Sequence, residues 1–129
     1  MRRTLHSDSV VRRCEQWLEG HFREIDAISQ VVKLSRIPER TLKRRFKMAA
    51  GSTLIEYLQN LRIEEAKRLL ETSQMPVDDI SVQAGYADAS FFRRLFKRLT
   101  GLTPREYRRM FQPVAMARLP DPGYRSAAK

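Results

Sequence analysis

Two runs of long cationic donors recur in this chain at helical spacing. Arg40, Lys43, Arg44 and Lys47 form the first; Arg93, Arg94 and Lys97, led by Ser90, form the second. The i, i+3, i+4, i+7 intervals put each set on one stripe of a helix. Side chains arrayed this way can donate to guanine O6 and N7 or adenine N7 in a major groove, while neighbouring cations hold phosphate oxygens. The opposite side of each run is apolar: Leu42, Phe46 and Ala49 in the first, with Arg45 at its margin, and Phe92, Leu95, Phe96 and Leu99 in the second. A helix of this kind docks on its own domain through one face and presents donors on the other. A single basic stripe is as often just a solvated face. Two at matched positions argue for a shared use.

The match belongs to a longer repeat. Residues 47–57 read KMAAGSTLIEY and residues 97–107 read KRLTGLTPREY, and Phe46/Phe96, Lys47/Lys97, Gly51/Gly101, Thr53/Thr103, Glu56/Glu106 and Tyr57/Tyr107 are identical pairs at an offset of 50. Self-similarity at a fixed period marks one supersecondary unit used twice.

Caps and breakers set the elements that carry these residues. Ser9 is read as the N-cap of a first helix over about 10–22, with Val10, Val11, Cys14, Trp17, Leu18 and His21 on one stripe. A second helix over 27–34 turns Ile28, Val31 and Val32 inward, and a turn through Arg36 leads to a third over 38–49, with Pro38 in its first turn. Gly51 ends it. Thr53 and Glu56 make a capping box that opens a long helix over 54–71, with Leu54, Leu58, Leu61, Ala66, Leu69 and Leu70 available for burial. The layout then recurs as 77–84, a turn at Gly85, a basic helix over 89–99 capped by Asp88, a stop at Gly101, and a second capping box, Thr103 to Glu106, opening 104–111.

Short helix, tight turn, basic helix is the helix-turn-helix layout. No strand-like alternation is present, so the expected fold is all-α, with about seven helices. The expected organisation is a lead-in at 1–9, a first helix-turn-helix subdomain at 10–52, a linker helix at 53–72, a second subdomain at 73–111 and a flexible tail at 112–129. One irregularity stands out: Gly85 suits a turn residue of positive φ, but its counterpart Arg36 lies at an offset of 49. The first turn is therefore either strained or built differently.

Bulk properties agree with a polyanion as partner. The chain has 129 residues and a formal charge of +10, and its 42% apolar content suffices for a core. Cys14 is the single cysteine, which excludes a disulfide framework and reads as a core thiol in a reducing compartment. His6 and His21 are too few to build a metal site with it. No apolar run reaches the length of a membrane span, and the basic start MRRTLHSDS lacks the apolar stretch of a signal peptide. No nucleophile–base set, paired carboxylates in an apolar setting or glycine-rich phosphate loop is visible, and Glu56 and Glu106 read as caps; the chain is expected to be no enzyme and to need no cofactor.

The segments PERTLKRRFKMAAGSTLIEYL and RIEEAKRLLETSQMPVDDISVQAGYADASFFRRLFKRLTGLTPREYRR resemble the DNA-binding domain of the AraC/XylS family of bacterial transcription regulators. The resemblance covers about 10–111 and is most specific over 80–107, where I-x-x-x-A-G-Y-x-x-x-S-x-F-x-R-x-F-K-x-x-x-G-x-T-P-x-x-Y follows the family signature. Within the family the chain looks most like the branch that carries an amidase-like, DJ-1/PfpI-type partner domain. The resemblance implies two helix-turn-helix subdomains on one long helix, with both reading helices in successive major-groove segments of double-stranded DNA. It places base reading on Arg40, Lys43, Arg44, Ser90, Arg93 and Arg94, and phosphate contact on Lys47 and Lys97. It further implies a cytoplasmic bacterial activator, nucleoid-associated when bound, that contacts RNA polymerase. A ligand-sensing or dimerising domain would lie outside this chain, which is then a fragment of a longer regulator or, less favoured, a short stand-alone member. Phe91 occupies a position that is often polar in relatives; it either touches a thymine methyl or packs, and packing is favoured.

Another function class competes. A basic helical module could dock an acidic protein partner, although docking does not require two matched helices. Single-stranded RNA binding usually needs exposed aromatics on a platform, and Phe46, Phe92, Phe96 and Tyr107 all read as buried.

Overall fold

The computed structural model describes residues 8–114, along which the chain runs through α1 (Ser9–His21), α2 (Ala27–Ser35), α3 (Glu39–Ala50), α4 (Leu54–Thr72), α5 (Val77–Ala84), α6 (Ala89–Thr100) and α7 (Pro104–Phe111). No strand occurs among the described residues. The stretches 1–7 and 115–129, and with them His6, most of the expected lead-in and most of the expected tail, lie outside the described residues. Among the described residues no helix is long and apolar enough to cross a membrane.

Both capping boxes form. Thr53 N–H donates to Glu56 Oε1 and Glu56 N–H to Thr53 Oγ1, each at 3.0 Å. The same exchange at Thr103 and Glu106 has distances of 2.9 and 3.1 Å, with Pro104 at the first helical position of α7. The backbone N–H bonds hold both carboxyls below their ordinary values, and Lys47 and Lys97 add to the effect at Glu56 and Glu106 respectively. Gly51 and Gly101 end α3 and α6 with φ of 83° and 85°, each donating back to Lys47 O or Lys97 O. Asp88 caps α6 as the sequence suggests, accepting from Ser90 N–H at 2.9 Å and Phe91 N–H at 3.2 Å.

The chain divides into two compact units between Leu61 and Arg62. In the first, Val11, Cys14, Leu18, Ala27, Val31, Leu42, Phe46, Leu54 and Leu58 form the buried cluster. In the second, Ile63, Ala66, Leu70, Ile80, Ala84, Phe92, Leu95 and Phe96 do so. The repeat explains this division. In the first unit α4 follows the basic helix, as α7 does in the second: Tyr57 meets Phe46 edge-on at 5.4 Å, and Tyr107 meets Phe96 edge-on at 5.5 Å. Each tyrosine then donates its hydroxyl to a glutamate of the helix that opens its own unit, Tyr57 to Glu19 at 2.7 Å and Tyr107 to Glu71 at 2.5 Å. The first half of α4 thus closes one core, and its second half opens the other.

Several sequence expectations need correction. Asp8, not Ser9, caps α1, accepting from Val10 N–H at 3.1 Å and Val11 N–H at 3.2 Å. A carboxylate succeeds there because it also binds Arg45, which donates from Nε and Nη2, both at 2.8 Å. That bond, helped by the Val11 amide, holds the Asp8 carboxyl below its ordinary value. Pro38 stands at the N-cap of α3 and not inside its first turn, because its ψ of 146° is extended and helical backbone begins at Glu39. Leu99 is 43% exposed: α6 has by then passed the end of its apolar cluster. Trp17 and His21 stack on each other at 4.2 Å at the edge of the first core, only partly buried, whereas Cys14 is fully buried.

Candidate nucleic-acid interface

The two basic helices are set by turns of the same backbone hand. Gly85 adopts φ 109° and ψ 15° before α6. Arg36 adopts φ 61° and ψ 20° before α3, and is the non-glycine residue at positive φ among the described residues. Of the two options left open by the sequence, the strained turn is the one present. An L-residue in this region costs about 1–2 kcal/mol relative to right-handed backbone. Ser35 helps to hold the turn: its hydroxyl donates to Val32 O at 2.7 Å and accepts from Ile37 N–H at 3.3 Å.

Above these turns, Leu42 and Phe46 bury one face of α3, and Phe92, Leu95 and Phe96 bury one face of α6. The opposite faces emerge as the sequence requires. Arg40, Lys43, Arg44 and Lys47 are all exposed on α3, and Ser90, Arg93, Arg94 and Lys97 are all exposed on α6. Their electrostatic surroundings differ. Lys43 pairs with Glu39 one turn back at 2.9 Å. Arg93 pairs with Asp78 in the first turn of α5. Among the described residues no ion pair engages Arg40, Arg44, Arg94, Lys47 or Lys97. Arg44 and Arg94, at matched positions, are therefore donors with their hydrogen-bonding capacity facing solvent. Among the described residues no group of three or more His, Cys, Asp or Glu is arranged to hold a metal ion.

Three contacts that shape this surface escaped the sequence reading. The Asp8–Arg45 clamp joins positions 37 apart, and Asp78–Arg93 joins positions 15 apart, intervals no helical period marks. The third is Arg62, buried with its guanidinium over the Tyr86 ring at 5.0 Å. Burial lowers the Arg62 pKa and raises that of Tyr86 from their ordinary values. An arginine in the middle of a helix reads as surface, so only its place within the apolar spacing of Leu58, Leu61 and Ile63 hinted otherwise.

Comparison with known proteins agrees with this geometry. A helix-turn-helix domain family matches residues 31–110. The transcriptional activator RhaR of Yersinia pseudotuberculosis serotype O:1b is 32% identical over 113 residues, covering 86% of this chain and 38% of the relative. RhaR of Salmonella dublin is 34% identical over 103 residues, covering 80% of this chain and 35% of the relative. The chain thus spans little more than a third of the length of these curated relatives. Among solved structures, the C-terminal domain of the response regulator AraT from Geobacillus stearothermophilus superposes with a TM-score of 0.79 at 29% identity, covering 82% of this chain and 88% of that one. The DNA-binding domain of the global transcriptional factor AdpA, in complex with a target DNA, gives 0.74 at 29% identity, covering 78% and 91%. The chain belongs to the AraC-type helix-turn-helix domain family.

Proposed function

We propose that this chain is a sequence-specific double-stranded DNA-binding module of a transcription regulator, with α3 and α6 entering successive major-groove segments of one duplex. Arg40, Lys43 and Arg44 read bases from α3; Ser90, Arg93 and Arg94 read from α6; Lys47 and Lys97 hold phosphates. The observation that carries this reading is the pair of exposed donor rows at matched positions on two helices whose other faces are buried. The AdpA domain, solved on a target DNA, supports the class of partner, and the RhaR relatives, named as activators, support activation as the outcome. RNA polymerase as the protein contacted rests on the sequence resemblance alone. The setting is the bacterial cytoplasm, where the module would work beside a sensing or dimerising domain, of the DJ-1/PfpI type on the sequence resemblance. Selection of bound sequences from a random duplex pool tests this reading. A defined consensus is expected, with affinity falling steeply with salt as counterions are released. Absence of retardation on any duplex at low salt would overturn it and favour the protein-docking alternative.

A further inference from the structure

At the margin of α6, between its donor row and its buried face, stands one side chain that donor chemistry does not account for and core packing accounts for only in part. Phe91 is 41% exposed in the first turn of α6, between Ser90 and the buried Phe92. One side of its ring rests on Tyr86, with centroids 5.9 Å apart. Tyr86 is itself buried, packed on Phe92 at 5.6 Å and covered by the Arg62 guanidinium at 5.0 Å. Phe91 therefore leans on a fixed support, and packing, the reading favoured from sequence, accounts for only part of its surface. At 3.6 residues per turn it lies about 60° around the helix from Arg94 on one side and about 40° from the buried Leu95 on the other. It stands at the edge of the donor row and in the first turn, the part that reaches base edges when such a helix enters a major groove.

A phenyl ring offers neither donor nor acceptor, so it discriminates by apolar contact alone. The apolar group that an unmodified base edge presents in the major groove is the C5-methyl of thymine. We propose that Phe91 reads a thymine methyl, making α6 a mixed reader that takes purine acceptors through arginine and a pyrimidine methyl through the ring. This rests on the DNA-binding reading above. The matched position in α3 is Thr41, half-buried, so the methyl preference belongs to the α6 half of the site.

The test uses the duplex obtained by selection, with each thymine replaced in turn by deoxyuridine, which removes the methyl and nothing else. Wild type, Phe91→Ala and Phe91→Leu are titrated against the series. One thymine in the half-site read by α6 is expected to cost the wild type about three- to tenfold in affinity when demethylated. Phe91→Ala should bind the thymine and uracil duplexes alike, and Phe91→Leu should retain much of the difference. Should the alanine variant lose its fold, Phe91→Gln, which keeps bulk against Tyr86 but ends in a polar group, takes its place. Uracil penalties that persist unchanged in Phe91→Ala, or that are missing at every thymine in the wild type, overturn the assignment while leaving DNA reading intact. A pool that yields no preferred sequence removes DNA reading and the methyl contact together.

Discussion

Before α3 the left-handed turn residue is Arg36; before α6 it is Gly85. The two halves of the repeat differ in the same sense elsewhere. Pro38 leaves the start of α3 without a side-chain cap, where Asp88 caps α6 with two hydrogen bonds. On the flank of α3, Arg45 reaches the Asp8 carboxylate; its counterpart on α6 is Leu95, 2% exposed. What stays identical is what the geometry demands: the phenylalanine–tyrosine edge contact, the helix-stopping glycine and the capping box. A shared backbone thus tolerates different materials wherever a contact can be made by charge or by burial. The first unit leans more on charge, the second on apolar packing and an unstrained turn.

The likeness can be broken at its centre. Phe46→Ala and Phe96→Ala should each cost about 3–5 kcal/mol of stability by urea unfolding, because both rings are fully buried against a matched tyrosine. A large inequality would mean the two cores are not equivalent. On the DNA side, Arg44→Ala and Arg94→Ala should each cost about 1–3 kcal/mol in specific binding, measured by titration on the selected duplex. Lys47→Ala and Lys97→Ala should instead weaken all sequences alike and lower the salt slope by about one.

The difference between the turns can be sharpened by exchange. Gly85→Ala should destabilise by about 1–2 kcal/mol, whereas Arg36→Gly should be neutral or stabilising by about 0.5–1 kcal/mol, both read from thermal unfolding. The smallest effect concerns acid. Asp8 has its folded-state pKa lowered, so its contribution is present above the unfolded value of about 3.9 and is lost as pH falls through the folded value. Melting temperatures between pH 3 and 7 should therefore fall toward acid, and Asp8→Asn, which can still cap but cannot pair with Arg45 as an anion, should flatten that fall.

Most of this fold was legible because the chain prints its rules twice. The Thr–Glu boxes, the stopping glycines and the four-residue spacing of Leu42 with Phe46 and Phe92 with Phe96 are local, so sequence alone places the helices and turns both donor rows outward. What escaped depends on contacts between elements. Nothing near Ser9 reveals that Asp8 will take both the cap and Arg45, and nothing near Arg93 marks Asp78 as its counterion. Burial of the Arg62 guanidinium requires Tyr86, which arrives only after the next helix. Leu99 has the right period and the wrong position, one turn beyond the core it was expected to join.

The central claim is that α3 and α6 each read their own stretch of one duplex. Interference by N7-methylguanine on the selected site tests it directly, since the methyl blocks an arginine contact from the major groove. Two clusters of interfering guanines are expected, about one helical turn of 10 base pairs apart, with Arg44→Ala erasing one and Arg94→Ala the other. A single cluster, or two that survive both substitutions, would contradict it.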